Sequence, residues 1–123
     1  MARVAAYVPD LLFGSNVLGL LRAADHDAAL VGDEAALRAW LASRAGSGPR
    51  LLVVDLTDDG PARLELVGRL RAAGNLDGVR SIAFYSHVDV EVRRSAEAAE
   101  FDLVVPRSRF AREGAALIER VLT

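Results

Sequence analysis

Apolar runs and amphipathic stretches alternate along the whole chain. The clearest apolar run covers residues 51–54 (LLVV) within the stretch PRLLVVDL, and it ends at Asp55. No polar residue interrupts this run, which is typical of a strand covered on both faces at the centre of a parallel sheet. Other apolar runs predict four more strands, at residues 3–8, 28–31, 79–85 and 103–105.

Apolar residues at helical spacing predict a helix after every strand. These helices are expected at 11–24, 34–44, from 61 to a closing turn at 74–75, at 89–99, and after residue 108. Asp10, Asp33, Asp89 and Ser108 are candidate N-caps, and Pro61 suits a first helical turn. Five strand–helix repeats in 123 residues predict one α/β domain over 1–123, with a parallel sheet between two helix layers.

Composition and charge narrow the function classes. The net charge of −2 provides no basic excess for nucleic acid or anionic membrane. The chain has no cysteine, and no apolar run approaches the about 20 residues that span a bilayer. Because no signal peptide precedes the first strand, we expect a cytoplasmic protein. All fifteen basic residues are arginine, so no mechanism can use a lysine amine.

These elements resemble the CheY-like receiver domain of bacterial response regulators. The resemblance rests on LLVVDL at the third strand, Ser86 after the fourth, and VVPRSRF at the fifth. It implies a flavodoxin-like strand order of 2-1-3-4-5. It also implies that Asp55 stands where receivers accept a phosphoryl group from a histidine kinase. Receivers bind Mg²⁺ there, through this aspartate and an acidic pair after the first strand.

The chain departs from the receiver pattern at two points. Val8 and Pro9 stand where the acidic pair belongs, with Asp10 one step beyond, and Arg107 replaces the lysine that follows the fifth strand. Mg²⁺ needs well-placed carboxylates, and phosphoryl transfer needs charge neutralisation. The departures predict a pseudo-receiver: stand-alone, not an enzyme, without a cofactor, and signalling by protein contact. The alternative is a phospho-accepting regulator that holds Mg²⁺ on Asp10 and Asp55.

Other polar side chains are expected around Asp55, on a pocket rim with Asp10 and Ser86. His87 is either a ligand or a surface loop residue, and Ser108 with its helix N-terminus could bind an anion. Asp55 itself could simply cap the loop at 57–59. Arg107 is expected to form a salt bridge with Asp55 or Asp10. A third function, binding a small molecule or anion at this rim, remains open.

The resemblance also suggests a partner surface. Receivers commonly present the face made by the fourth helix, fifth strand and fifth helix to another protein or to a second copy, so a homodimer is possible. In this chain that face would comprise Val92, Arg93, Ala96, Ala99, Glu100, Arg112 and Ala116. His26, between two aspartates, is expected to be a solvated turn residue.

Overall fold

The computed structural model describes residues 1–43, 46 and 48–123, which form five strands and five helices in strict alternation. The strands are β1 (Arg3–Tyr7), β2 (Asp27–Val31), β3 (Arg50–Asp55), β4 (Val79–Tyr85) and β5 (Leu103–Pro106). The helices are α1 (Leu11–Ala23), α2 (Glu34–Ala42), α3 (Gly60–Ala72), α4 (Val90–Glu97) and α5 (Arg107–Leu122). The predicted end of the second helix, residue 44, and loop residues 45 and 47 lie outside the described residues.

All strand pairs are parallel, and the order across the sheet is β2-β1-β3-β4-β5. The predicted fold class and strand order are therefore confirmed. Tyr7 pairs with Val54 and Asp55 pairs with Phe84, so Asp55 projects one residue beyond the end of β1. This register places the end of the central strand between the loops that follow β1 and β4.

The sheet is buried on both faces because helices cover each of them. Leu51 and Val53 of β3 belong to the core under α1 and α5, whereas Leu52 and Val54 belong to the core under α2, α3 and α4. This alternation follows from the period of two along a strand. Phe84 of β4 lies between two further rings, with centroid distances of 5.4 Å to Phe13 and 5.0 Å to Phe110.

Three of the four predicted N-caps are correct, and the fourth is wrong. The carboxylates of Asp10, Asp33 and Asp89 each accept a backbone N–H in the first turn of the helix that follows. Ser108 is not a cap, because α5 already begins at Arg107 and Pro106 precedes it in extended conformation. Pro106 still pairs with β4. The sheet therefore leads straight into the helix without a capping loop.

Polar side chains at the amino end of the sheet are buried against backbone. His26 is 6% exposed, and its Nδ1 accepts a hydrogen bond from the Ala2 amide at 3.1 Å, so the prediction of a solvated turn residue is wrong. Arg50 donates to the Leu41 carbonyl at 2.9 Å. The guanidinium carbons of Arg3 and Arg50 lie 5.2 and 5.8 Å from the centroid of the Trp40 ring.

None of the helices in the described ranges is long and apolar enough to cross a bilayer.

Candidate functional site

A pocket of about 870 Å³ opens at the carboxyl ends of β1, β3 and β4 and at the start of α5. Because parallel strands end at one edge of the sheet, the loops that follow them converge there. Asp55 and the five residues predicted for the rim around it all line this pocket. The full lining comprises Pro9, Asp10, Phe13, Asp55, Thr57, Asp58, Arg63, Ser86, His87, Arg107, Ser108 and Ala111.

Asp55 lies at the floor of the pocket and is only 2% exposed. Its Oδ1 accepts two hydrogen bonds from Thr57, one from the amide at 2.8 Å and one from Oγ1 at 2.5 Å. This arrangement is an Asx-type turn, in which the side chain replaces a backbone acceptor. One carboxylate oxygen of Asp55 is therefore committed to its own loop.

Asp10 lies on the opposite wall, where the chain leaves β1. Its Oδ1 accepts the amides of Leu12 at 2.9 Å and Phe13 at 3.1 Å, so this carboxylate caps α1. Val8, which precedes it by two residues, is 1% exposed and belongs to the core under α1 and α5. The carboxyl end of β1 thus contributes an apolar core residue and a helix cap.

Arg107 does not form the predicted salt bridge. Its guanidinium carbon lies 3.8 Å from the centroid of the Phe13 ring, and the described part of the chain shows no ion pair between Arg107 and Asp55 or Asp10. Arg107 is the first residue of α5, which packs beside α1, and stacking on the aromatic face satisfies the cation. The prediction is therefore corrected: Arg107 contacts Phe13, and neither Asp55 nor Asp10 has an ion-pair partner among the described residues.

Arg63 is a pocket residue that the sequence interpretation missed. One guanidinium nitrogen, Nη1, donates to the carbonyl oxygens of Asp55, at 3.0 Å, and of Asp58. The same guanidinium lies 5.7 Å from the centroid of the Tyr7 ring. The available signal was an arginine in the first turn of a helix, where the helix dipole disfavours a cation, so that a local partner is needed.

Comparison with known proteins identifies the architecture. No protein-family model and no curated protein matches the sequence. Among solved structures, a receiver protein from Burkholderia phymatum is 22% identical over 99% of this chain and 95% of its own, with a TM-score of 0.77. The chemotaxis response regulator CheY4 of Vibrio cholerae is 16% identical over 99% of both chains, with a TM-score of 0.79. A response regulator from Thermotoga maritima is 14% identical over 99% of this chain and 98% of its own, at 0.79.

The chain has the fold of a response-regulator receiver domain. In a receiver fold the pocket just described is where Mg²⁺ would be bound, and the residues present do not suit it. Asp10 is used as a helix cap, Asp55 shares one oxygen with Thr57, and Val8 is buried in the core. Within the described ranges, no group of three or more His, Asp or Glu side chains is placed to hold a metal ion. Mg²⁺ prefers near-octahedral oxygen coordination, and here one oxygen of Asp10 and one of Asp55 already accept hydrogen bonds from the protein.

The remaining pocket residues of this receiver fold offer hydroxyl and imidazole groups. Ser86 is half-buried at the end of β4, and its carbonyl accepts the Asp89 amide at 2.9 Å. His87 and Ser108 are exposed on the rim. Together with the guanidiniums of Arg63 and Arg107, these donors could contact an oxyanion or a partner's side chain.

The predicted partner face of the receiver fold is smaller than expected. Val92 is 6% exposed and Ala96 is fully buried, and both pack in the core under α2, α3 and α4, so they cannot contact a partner. The reason is the orientation of α4, which packs Val92 against Gly60 at the start of α3. Ala99 is half-buried, and the exposed members of the face are Arg93, Glu100, Arg112 and Ala116.

Proposed function

We propose that this chain is an atypical receiver domain that acts in signalling through protein–protein contact, without Mg²⁺-dependent phosphorylation of Asp55. Its partner is another protein or a second copy of itself, and it has no catalytic role of its own. The receiver fold supports the signalling class. The buried Val8 and the use of Asp10 as a helix cap support action without Mg²⁺-dependent phosphorylation.

One observation carries this proposal: the end of β1 is built as core and helix cap. Val8 is buried where a metal-binding acid would stand, and Asp10 accepts the amides of Leu12 and Phe13 in the first turn of α1 through Oδ1. Moving Asp10 toward Asp55 would break that cap, and the loss of an N-cap costs roughly 1 kcal/mol. The metal would also have to compete with Thr57 for Asp55.

The test is a Mg²⁺ titration followed by calorimetry and by amide NMR, on the wild type and on Asp55→Asn. Asp77→Asn, an exposed acid at the other end of the sheet, is the matched control. We expect no heat and no shift that depend on Asp55, and no gain of a phosphoryl group by intact mass with acetyl phosphate. Mg²⁺ binding and phosphorylation that both disappear in Asp55→Asn would instead establish the phospho-accepting alternative.

Oligomeric state decides between the two kinds of partner. Sedimentation of the wild type over a wide concentration range separates a monomer from a homodimer. If a dimer forms, Arg112→Ser with Ala116→Ser tests the exposed part of the α4–β5–α5 face. A dimer that survives these changes would place the contact elsewhere.

A second candidate function is the binding of a small anion in the pocket. It is favoured by the open volume of about 870 Å³ and by the absence of an ion pair to Arg107 in the described part of the chain. Titration with inorganic phosphate should then shift the amides of residues 86–87 and 107–108, and Arg107→Gln should abolish the shift. Arg94→Gln, an exposed arginine on α4, is the control. Equal shifts in all three proteins would rule this function out.

A further inference from the structure

Large apolar side chains among the described residues are exposed mainly at the carboxyl end of the sheet, where the strands end and the pocket opens. Among the described residues, the exposed ones are Met1 at 81%, Leu11 at 78%, Leu12 at 77%, Val88 at 74% and Val90 at 53%. All except Met1 lie at this end. Exposed apolar residues scattered singly need no explanation, but a group around one pocket marks an interaction site.

These four residues flank the pocket on two sides. Leu11 and Leu12 open α1 directly after the pocket residue Asp10, whereas Val88 and Val90 follow the pocket residue His87 at the start of α4. β1 and β4 are the two neighbours of β3, so their ends are separated by two strand spacings, or about 10 Å. The apolar pairs therefore stand on either side of the end of β3.

The loops and first helical turns around these pairs are acidic. Five acids belong to them, and none of the five is in an ion pair within the described ranges. The same segments hold four guanidiniums, of which Arg93 and Arg109 pair with Glu97 and Glu113 in the next turn of their helices, so that Arg63 and Arg107 are the cations without an ion pair among the described residues there. The acids are Asp10, Asp58, Asp59, Asp89 and Glu91. Asp10 and Asp89 cap α1 and α4 through Oδ1, so their Oδ2 atoms are the ones that would face a partner. Unpaired acids beside exposed apolar side chains complement a surface that is apolar and basic.

We propose that the ring formed by Leu11, Leu12, Val88 and Val90 docks a basic amphipathic segment of a partner protein. This inference rests on the proposed function, because it assumes signalling by contact. Apolar side chains of the segment cover the four exposed residues, while its lysines or arginines pair with the surrounding acids. The small apolar area fits a transient contact, and the exposed charges make its affinity depend on salt.

The experiment is an amide NMR titration of the full chain with an amphipathic leucine–lysine peptide. A peptide of the same pattern with glutamate in place of lysine is the matched probe. We expect the lysine peptide to shift signals of residues 10–13 and 86–91, more weakly at high salt, and the glutamate peptide to shift none. The double variant Leu12→Ser and Val88→Ser should weaken binding about tenfold, from lost apolar burial. Ala115→Ser with Ala116→Ser, on the exposed side of α5, should leave it unchanged.

Charge is tested separately with Asp58→Asn and Asp59→Asn, which should weaken binding and flatten its salt dependence. Asp59 adopts a left-handed φ of 55°, which asparagine also tolerates, so the fold should survive. Shifts spread over the α4–β5–α5 face, equal binding of the glutamate peptide, or no binding at all would each overturn the inference. The proposed function would still stand in these cases, because the Mg²⁺ titration tests it independently.

Discussion

The two ends of the sheet differ in how far their polar side chains are used within the fold: both ends bind backbone, but the carboxyl end also leaves polar groups facing a pocket. At the amino end, charged side chains bind backbone: Arg50 donates to the Leu41 carbonyl, and Arg3 donates to the Ser43 carbonyl at 3.3 Å. His26 accepts the Ala2 amide there, and Asp102 accepts the Ser81 amide at 2.8 Å. At the carboxyl end, Arg107 and several hydroxyl groups face an open pocket that is flanked by exposed apolar side chains.

Whether a polar side chain binds backbone or faces the pocket indicates its structural or functional role better than its residue type does. A buried polar group that satisfies a backbone partner stabilises the fold, and removing it leaves an unsatisfied group behind. A polar group that faces a pocket makes few internal contacts, so its removal should affect binding more than stability. Substitutions at the amino end should therefore have the larger effects on the free energy of unfolding.

Substitution of Arg50 should cause the largest loss in the free energy of unfolding. Its side chain is 9% exposed, bonds the last turn of α2 and lies beside Trp40. Arg50→Ala should reduce the free energy of unfolding by about 2–4 kcal/mol, because it loses packing and leaves a carbonyl unsatisfied. Urea unfolding measures this, with the exposed Arg94→Ala as the control. A loss no larger than that of the control would remove the distinction between the two ends.

Asp55 is a buried polar residue at the carboxyl end of the sheet, so its substitution tests the other side of the comparison. Asp55→Ala should cost about 1–3 kcal/mol, because the amide and hydroxyl of Thr57 lose their acceptor. Asp55→Asn should cost less, since its amide oxygen can still accept one of these bonds. The same urea experiment compares the two variants. An Asp55→Ala protein more stable than the wild type would show that the carboxylate is strained in the pocket and held for a binding role.

The contact between Arg107 and Phe13 should contribute less. Cation–π contacts at partly exposed sites are worth about 0.5–1 kcal/mol, and the 3.8 Å stacking distance is short. A double-mutant cycle with Arg107→Gln and Phe13→Leu isolates the coupling between the two side chains. Zero coupling would mean that Arg107 is free to leave Phe13 and bind a ligand, which would favour the anion-binding alternative.

The fold followed from the sequence because its signals are local. The uninterrupted run at 51–54 and the alternation of strands and helices are enough to predict the parallel sheet, and the convergence of loops gathers Asp55, Ser86 and Arg107 in one pocket. Side-chain direction was not predictable in this way. Burial of His26 depends on the Ala2 amide, which is 24 residues away in the chain.

The helix faces show the same limit. Val92 is buried because α4 meets Gly60 of α3, a contact between two segments that no periodicity within α4 defines. Arg63 reaches back over its own loop to the Asp55 carbonyl, and Arg107 turns to Phe13 on another helix. In each case the partner competing for the side chain lies in a different element. Sequence patterns therefore located the site but did not determine which of its charges are paired.

Glu34 begins α2, at the same end of the sheet as the pocket, and its side chain is exposed. Its substitution should therefore have the smallest effect on stability. A hydrogen bond from Arg38 at 2.8 Å, and more weakly the charge of Arg69, lower the pKa of this carboxyl. A lowered pKa in the folded state contributes stability above the ordinary glutamate pKa, and this is lost as pH falls through the folded pKa. Glu34→Gln should therefore be slightly less stable than the wild type at neutral pH, with the difference vanishing in acid.

Urea unfolding at several pH values measures this difference. Glu91→Gln is the control, because Glu91 has no ion pair in the described part of the chain. If Glu91→Gln showed the same pH-dependent loss, the Glu91 carboxylate would already be stabilised within the folded chain and would be less available to a basic partner.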